Sequence, residues 1–255
     1  MLGAMIGDIV GSIYEWHNIK TTEFEFFQET CFFTDDTVLT AATTRAIMTD
    51  GDFTKAYQDF ARRYPRRGYG GNFSGWIHRS DPQPYNSWGN GSAMRVSPVG
   101  FSSDSVEEVL RAAKNSAVVT HNHPEGIKGA QSTALAIFLA RQGSNQEEIR
   151  EAIKNRFGYN LDRTLNEIRS TYTFDVSCQG SVPEAIIAFL ESESYEDAIR
   201  KAISLGGDSD TIACITGGIA EAFFGGVPDD IAEQGRHFLP DEFLQILEDF
   251  RTWRS

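Results

Sequence analysis

Helical periodicity dominates this chain, and the alternation of apolar and polar residues that is typical of strands is scarce. The best strand candidate, residues 22–27, is short and ambiguous. With 40% hydrophobic residues in a chain of 255, the sequence can bury a substantial core. We therefore predict an all-α fold in which residues 1–255 form one compact domain. The clearest helical segments are 106–118, 129–141, 146–157, 182–190, 195–204, 211–224 and 240–253.

Small residues recur inside the predicted helices. Gly217 and Gly218 lie within the segment 211–224, where each glycine costs about 1 kcal/mol relative to alanine. Such a cost indicates that another helix approaches closely at this point. The pattern favours a tightly packed helical bundle over a solenoid, and the sequence shows no repeat of fixed period.

The N-terminal segment, MLGAMIGDIVGSIYEW, is apolar but lacks a basic leader and contains Asp8, so we predict a buried first helix rather than a signal peptide. No run approaches the roughly 20 apolar residues that span a bilayer. Cys31, Cys178 and Cys214 are odd in number and lack metal-type spacing, which suits a reducing compartment. We expect a cytoplasmic protein.

The charge of the chain narrows the choice of partners. A formal net charge of −13 argues against binding to nucleic acid or to an anionic membrane, because a polyanion requires a basic surface. A small anionic ligand could still bind where a metal ion supplies local positive charge. The sequence leaves the oligomeric state open.

Two acidic clusters, Thr34-Asp35-Asp36-Thr37 and Asp208-Ser209-Asp210-Thr211, stand where helices rich in small residues should begin. If the two helix starts meet, four carboxylates converge. Two carboxylates about 4 Å apart would repel by about 4 kcal/mol at an effective dielectric near 20, and about two divalent cations would remove that repulsion. Carboxylate and hydroxyl oxygens are hard ligands that suit Mg²⁺ or Mn²⁺.

Two other interpretations of these clusters are weaker. Helix capping explains one Thr or Asp at each start, but it does not require both clusters. The DxDxT nucleophile motif of aspartate-based phosphatases resembles the second cluster. That motif belongs after a buried strand near the start of a chain, whereas here only 44 residues follow Thr211.

Three further features are candidates for substrate contact or catalysis. At helical spacing Glu15 shares a face with Asp8 and Gly11, from which it could act as a general acid or base, although a solvent-facing Glu is also plausible. Residues 88–94 form a glycine-rich turn before a helix, a weak motif for anion binding. His121 is a candidate hydrogen-bonding residue, with capping or packing as the alternative.

A long segment rich in Gly, Pro, Asn and aromatic residues extends from Tyr64 to Gly91. A connection of this length without clear secondary structure is unusual in a compact domain and is often functional. We predict that its aromatic side chains form a wall facing the ligand, and a plain surface loop is the alternative.

Taken together and in this order, these segments resemble the ADP-ribosylglycohydrolase family, which includes dinitrogenase reductase activating glycohydrolase and the eukaryotic ADP-ribosyl-acceptor hydrolases. The resemblance extends from Gly3 to about Gly225, nearly the whole chain. GSIYEWHN is closer to the serine-directed acceptor hydrolases. The matching stretches are GDIVGSIYEWHN, FTDDTVL, GNGSAMR, THNHPEGIKGA, SVPEAI and LGGDSDTIA.

The resemblance implies an orthogonal all-α bundle and a metal-dependent hydrolase with two Mg²⁺ or Mn²⁺ ions per chain. It implies cleavage at C1″ of ADP-ribose attached to a side chain, arginine first and serine next, on an ADP-ribosylated protein or a small ADP-ribose conjugate. The implied metal ligands are Thr34, Asp35, Asp36, Asp208, Asp210 and Thr211. The implied substrate contacts are Trp88, Gly89, Asn90, Gly91, Ser92, Ala93, Met94 and His121.

Several alternatives stay open at this stage. Glu15, Asp35 and Asp36 are all candidates for the catalytic carboxylate, and Asp210 for a bridge between the ions. The leaving group could instead be a small molecule or a nucleic acid, although the net charge of −13 weakens the latter. A non-catalytic relative, such as a crystallin or an ADP-ribose sensor, is the remaining alternative, but every type of ligand is present.

Overall fold

The structure is a computed structural model that describes residues 1–254. Helices account for all its regular structure except one isolated bridge, which pairs Gly89 with Ser177 within this range. The all-α prediction is confirmed. The helices are α1 Leu2–Gly11, α2 Asp35–Met48, α3 Phe53–Arg63, α4 Gly71–Trp76, α5 Gly91–Met94, α6 Ser97–Ser102, α7 Val106–Val118, α8 Pro124–Arg141, α9 Gln146–Phe157, α10 Leu165–Arg169, α11 Cys178–Leu190, α12 Tyr195–Ile203, α13 Ser209–Phe223, α14 Asp229–Arg236 and α15 Asp241–Arg254.

Helices α1 and α13 form the central pair, and both are almost entirely buried. Glycines at four-residue spacing on α1 allow the backbones to meet. A Cβ atom at Gly3 would lie 2.7 Å from the carbonyl oxygen of Gly217, and one at Gly11 would lie 2.5 Å from the Cα of Asp210. The close helix contact predicted at Gly217 is therefore present. Its effect is to bring the end of α1 against the start of α13.

The start of α2 lies beside the same point. Thr34 is extended and caps α2 by accepting a hydrogen bond from the Asp36 backbone N–H at 3.3 Å. Helix α2 then packs against α1, α3, α6 and α15, and its buried face joins the hydrophobic core that surrounds the central pair. Three helices, α1, α2 and α13, thus place their termini around one volume.

The first helix is too short to include Glu15, which the sequence predicted to share a helix face with Asp8 and Gly11. It ends at Gly11, and Glu15 lies in the turn that follows, so the prediction of one helical face through Asp8, Gly11 and Glu15 is wrong. The chain turns where α1 meets α13. The Asn18 side chain then fixes the turn by donating to the carbonyl oxygens of Tyr14 at 2.7 Å and Glu15 at 2.9 Å.

Two less regular segments also differ from simple expectation. Residues 22–27 do not form a strand, because the carbonyl oxygens of Thr22 and Phe24 accept hydrogen bonds from Arg200 rather than from a neighbouring strand. The long connection after Tyr64 contains the short helix α4, although the rest of it is irregular. Throughout residues 1–254, every helix is too short or too polar to cross a bilayer.

Candidate metal and substrate site

The two acidic clusters meet. The Thr211 hydroxyl donates to Oδ2 of Asp36 at 3.3 Å, across 175 positions of sequence. Carboxylate oxygens of Asp8, Asp36 and Asp210 lie within 4.8 Å of one another, as do those of Glu15, Asp208 and Asp210. Asp210 belongs to both groups, so its carboxylate lies between two adjacent sets of oxygen ligands.

These oxygens fit divalent cations. Oδ1 of Asp36 and Oδ1 of Asp210 are buried and have no hydrogen-bond partner among residues 1–254. Across the same range, no lysine or arginine forms an ion pair with any carboxylate of the two groups. Buried carboxylates are normally paired or bound to metal. A donor set made only of oxygen suits Mg²⁺ or Mn²⁺.

The pKa values of the cluster reflect the same crowding. Burial, followed by repulsion from Asp8, raises the pKa of Asp35 and of Asp36 well above 3.8. Burial, followed by repulsion from Asp208, does the same to the pKa of Asp210. The bare carboxylates therefore resist ionisation together, and bound cations would reverse that effect.

Asp8 lies among the converging carboxylates, although the sequence did not place it in the predicted ligand set. Oδ2 accepts hydrogen bonds from the backbone N–H groups of Thr34 at 2.9 Å and Thr37 at 3.1 Å, and from the Thr37 hydroxyl. Oδ1 accepts from the Thr34 hydroxyl at 2.6 Å. With both oxygens engaged, Asp8 holds the start of α2 in place. The available signal was an aspartate inside an otherwise apolar helix.

Asp35 contacts the long connection. Its backbone N–H donates to the carbonyl oxygen of Arg67 at 2.7 Å, and a Cβ atom at Gly68 would lie 2.9 Å from Asp35 Oδ1. The Arg67 guanidinium in turn lies 3.7 Å from the centre of the Phe33 ring. The long connection thus packs directly against the first cluster. Asp35 lines the cavity but belongs to neither group of converging carboxylates.

Glu15 lies at the mouth of the cavity and is partly exposed. Burial raises its pKa to about 7, repulsion from Asp208 adds to the rise, and a hydrogen bond from the Trp16 side chain opposes it. The Trp16 ring stacks on Phe174, with centroids 5.2 Å apart and planes at 25°. Trp16 thus connects the turn that carries Glu15 to a distant segment of the chain.

The glycine-rich turn lies next to the second cluster. The Asn90 side chain donates to Oδ2 of Asp208 at 2.6 Å, and its backbone N–H donates to the Val176 carbonyl oxygen at 2.8 Å. Nε2 of His121 faces this turn, since a Cβ atom at Gly91 would lie 3.3 Å from it. Burial lowers the pKa of His121 well below 6.5, and the Arg95 charge lowers it further.

One cavity of ≈ 330 Å³ joins these features. Its lining includes Glu15 and the carboxylates of both clusters, together with Gly89, Asn90, Gly91, Met94 and His121. Phe73 and Tyr85, from the long connection, also line it, as the predicted aromatic wall requires. A larger cavity of ≈ 810 Å³ near α14 and α15 contains none of the predicted site residues. Because the converging carboxylates line the smaller cavity, that cavity is the candidate functional site.

The remaining predicted substrate contacts lie elsewhere. Ser92 and Ala93 are fully buried, and the Ser92 hydroxyl donates to the carbonyl oxygen of Gly126 at 2.7 Å. Trp88 is 54% exposed and packs edge-on against His123. His123 itself caps α8 by accepting from the Glu125 backbone N–H at 3.1 Å. These three predicted contacts are therefore outside the cavity wall, with Trp88 nearest to solvent.

Comparisons with known proteins agree with this architecture. The profile of the ADP-ribosylglycohydrolase family matches residues 1–254. A solved structure described as an ADP-ribosylglycohydrolase-related protein complex superposes with a TM-score of 0.72 over 98% of this chain and 96% of the other, at 23% identity. That likeness shows the fold.

Curated relatives are similar over most of the chain. ADP-ribosylhydrolase ARH3 of Mus musculus is 28% identical over 305 residues, which cover 88% of this chain and 82% of the relative. The Homo sapiens ADP-ribosylhydrolase ARH3 is also 28% identical, with 88% and 84% covered. ADP-ribosylarginine hydrolase Tri1 of Pseudomonas putida (strain GB-1) is 28% identical over 173 residues, covering 63% of this chain and 44% of the relative.

Proposed function

The chain belongs to the ADP-ribosylglycohydrolase family, and we propose that it hydrolyses the glycosidic bond at C1″ of the distal ribose in ADP-ribose conjugates. The first proposed substrate is a protein carrying ADP-ribose on arginine, and the second is one carrying it on serine. The observation that carries the proposal is the meeting of both acidic clusters, without a basic partner among residues 1–254, in one cavity with Glu15 at its mouth.

The proposed cofactors are two Mg²⁺ or Mn²⁺ ions, held by Thr34, Asp35 and Asp36 from one cluster and Asp208, Asp210 and Thr211 from the other. The supporting observations are the unpartnered buried oxygens of Asp36 and Asp210 and the position of Asp210 in both groups. When bound, such ions supply Lewis-acid chemistry that holds hydroxyl groups and lowers the pKa of water.

We assign the role of general acid and base to Glu15. Both oxygens of Asp36 face the interior of the cluster, where Oδ2 accepts from Thr211 and Oδ1 has no partner. Glu15 instead lies at the mouth, within 4.8 Å of Asp208 and Asp210, and its partial exposure lets it exchange protons with solvent. It can therefore reach a leaving group that points out of the cavity.

The proposed reaction is a hydrolysis that balances without another reactant. A water oxygen forms a bond to C1″ as the bond from C1″ to the side-chain nitrogen or oxygen breaks. Glu15 donates its proton to that departing atom and recovers one from water. The products are ADP-ribose and the unmodified side chain.

The part of the cavity beside the second cluster suits the diphosphate of the same substrate. The glycine-rich turn from Gly89 to Gly91 and the imidazole of His121 lie there, and Asn90 links the turn directly to Asp208. A substrate whose distal ribose lies at the carboxylates would therefore extend its diphosphate along this turn. Contacts to the diphosphate would then help to orient the reacting C1″ bond of the distal ribose at the carboxylates.

The mouth of the cavity supports arginine as the first leaving group. Trp16 and Phe174 are 73% and 44% exposed and stack on each other, and Phe174 lines the cavity together with Glu15. A guanidinium is attracted both to an aromatic face and to a carboxylate. The similarity to a relative named ADP-ribosylarginine hydrolase points the same way.

The experiment is a turnover panel. Purified protein with Mg²⁺ or Mn²⁺ is incubated with peptides ADP-ribosylated on arginine or serine and with a small ADP-ribose conjugate, and released ADP-ribose is measured by chromatography. We expect release in the order arginine, serine, small conjugate. Loss of release in Glu15→Gln, with release retained in the exposed control Glu23→Gln, would tie the activity to this cavity. Tight ADP-ribose binding without any release would instead indicate a sensor.

A cytoplasmic location is part of the proposal. Cys31, Cys178 and Cys214 are all buried free thiols, with no disulfide in the range 1–254. Buried thiols that remain unpaired are typical of proteins in a reducing compartment.

A further inference from the structure

A chain of hydrogen bonds between buried side chains links Arg95, which itself lines the cavity, to His121. The Arg95 side chain is fully buried, yet it has no carboxylate partner anywhere in the described chain. Its guanidinium lies 4.1 Å from the centre of the Tyr57 ring, and Nη2 donates to the Ser116 carbonyl oxygen at 3.3 Å. Nη2 also donates to the Thr120 hydroxyl at 2.8 Å. A buried guanidinium without a counter-ion is rare and requires an explanation.

The hydrogen bonds along this chain have a fixed direction. A guanidinium can only donate, so the Thr120 oxygen must accept from Arg95. The only other partner of that hydroxyl within residues 1–254 is Nδ1 of His121, at 2.7 Å. If Nδ1 carried the proton, the buried Thr120 hydroxyl hydrogen would have no acceptor, which is unfavourable. Thr120 therefore donates, and Nδ1 accepts.

The direction of these hydrogen bonds determines which nitrogen of the His121 imidazole carries the proton. With Nδ1 as an acceptor, the proton of a neutral His121 resides on Nε2. Burial and the Arg95 charge both lower the pKa of His121, so the ring is neutral near pH 7. Nε2 faces the turn at Gly89 and Gly91, where a Cβ atom would lie 3.6 Å or 3.3 Å from it. The imidazole thus points an N–H donor at the glycine-rich turn.

We propose that Arg95 and Thr120 are positioning residues that hold His121 as the neutral Nε2–H tautomer, which donates a hydrogen bond to the diphosphate of the substrate. The diphosphate part of this inference rests on the proposed function. The same arrangement gives the cavity two groups of opposite character: carboxylates that attract cations, and a hydrogen-bond donor next to a buried guanidinium that has no carboxylate partner in the described chain. An ADP-ribosyl group presents hydroxyls and phosphates in that order.

The tautomer can be measured without substrate or turnover. Long-range ¹H–¹⁵N correlation spectra distinguish the two ring nitrogens of each of the five histidines, and His121→Gln identifies the His121 signals. We expect the Nε2–H pattern in the wild type and in Thr120→Ser, which keeps the hydroxyl. Thr120→Val should lose the preference. A wild-type His121 that is protonated on Nδ1, or on both nitrogens at neutral pH, would overturn the proposal.

Affinity provides the second measurement. With Mg²⁺ present, Thr120→Val should weaken ADP-ribose binding about tenfold in calorimetry, whereas Thr120→Ser and the buried control Thr216→Val should match the wild type. Binding of adenosine, which lacks the diphosphate, should not change. Unchanged ADP-ribose affinity in Thr120→Val would refute the positioning role. A wild type that binds ADP-ribose but releases none from any conjugate would overturn the proposed function only.

Discussion

The hydroxyl of Thr34 donates a 2.6 Å hydrogen bond to Oδ1 of Asp8, while the Thr34 backbone N–H donates to Oδ2 at 2.9 Å. The short bond directs the hydroxyl proton to Asp8, one lone pair of the Thr34 oxygen accepts from the Asp36 backbone N–H at 3.3 Å, and one lone pair is left for a cation. The first helix thus determines how the first cluster presents its ligands, although Asp8 itself need not touch a cation.

Asp8→Asn should weaken binding of Mn²⁺ about tenfold to a hundredfold, because an amide can accept at only one of its two positions and Thr34 and Thr37 lose part of their support. Turnover should fall in parallel. Calorimetric titration of Mn²⁺ and the ADP-ribose release assay measure these effects. The control is Ser12→Ala, which removes a buried hydroxyl directly after α1 but removes no carboxylate. Equal metal affinity in Asp8→Asn and wild type would refute the supporting role of Asp8.

Without metal, the protein should lose stability as pH rises from about 4 towards neutrality. The folded pKa of Asp8 is raised from 3.8 to about 6, so between these values the folded state binds more protons than the unfolded state. This one group corresponds to about 3 kcal/mol. Raised pKa values of Asp36 and Asp210 extend the loss towards neutral pH.

Thermal unfolding in a chelator should therefore give a higher midpoint at about pH 5 than at about pH 7.5, and Mg²⁺ should raise the midpoint mainly at the higher pH. The opposite trend, with the metal-free protein more stable at neutral pH, would contradict the raised pKa values that burial gives these carboxylates.

Asp210→Asn should nearly abolish turnover, because Asp210 contributes oxygens to both groups of carboxylates. Metal affinity should fall by at least about a hundredfold. The metal-free fold should be retained or slightly stabilised at neutral pH, since repulsion within the cluster falls. The ADP-ribose release assay measures turnover, titration with Mn²⁺ measures metal affinity, and thermal unfolding measures the stability of the metal-free fold. Wild-type activity in Asp210→Asn would disprove the assignment of a binuclear site.

The two acidic clusters proposed to hold the metal could be found from sequence because each is contiguous and stands at a helix start, so local structure alone orients its oxygens. Asp8 could not be assigned in this way. Its role depends on Thr34 and Thr37, which only folding brings to it, and an isolated aspartate in an apolar helix does not reveal its partner. The position of Asp35 likewise depends on a long-range hydrogen bond from its backbone to Arg67.

The placement of Glu15 shows the limit of periodicity. The helical pattern continues past Gly11 in the sequence, whereas the chain turns there because the backbone of α13 occupies the adjacent space. Glu15 nevertheless reaches the cavity, from a turn instead of a helix face. The hydrogen bonds that link Arg95 to His121 could not be predicted from sequence either. Thr120 and His121 are neighbours in sequence, but Arg95 contacts Thr120 only in the folded protein.

Trp16→Ala should lower kcat about tenfold, because it removes both the hydrogen bond to Glu15 and the stacking on Phe174 that hold the turn in place. Trp16→Phe, which restores only the stacking, should recover part of the loss. Trp253→Ala is a matched control, since Trp253 is 49% exposed and lies on α15, away from the cavity. Steady-state kinetics on one ADP-ribosylated peptide measure this effect. Equal kcat values for Trp16→Ala and Trp253→Ala would contradict the prediction.

Gly11→Ala tests whether the close approach of α1 and α13 builds the site. The added Cβ atom would lie 2.5 Å from the Cα of Asp210, and this backbone cannot move aside as a flexible side chain would. We expect a loss of about 1–3 kcal/mol in the free energy of unfolding, typical of overpacking. Metal affinity should fall as well, because any shift of α13 moves Asp210 away from Asp36.

The control for this substitution is Gly75→Ala, at a helical glycine with open space where its Cβ would be. It should leave unfolding and metal binding near wild-type values, or stabilise the protein slightly through the better helix propensity of alanine. If Gly11→Ala lowered stability but left metal affinity intact, the packing of α1 on α13 would be separable from the site. Loss of both together, in one variant that alters no ligand, would show that the glycine contact positions the carboxylates.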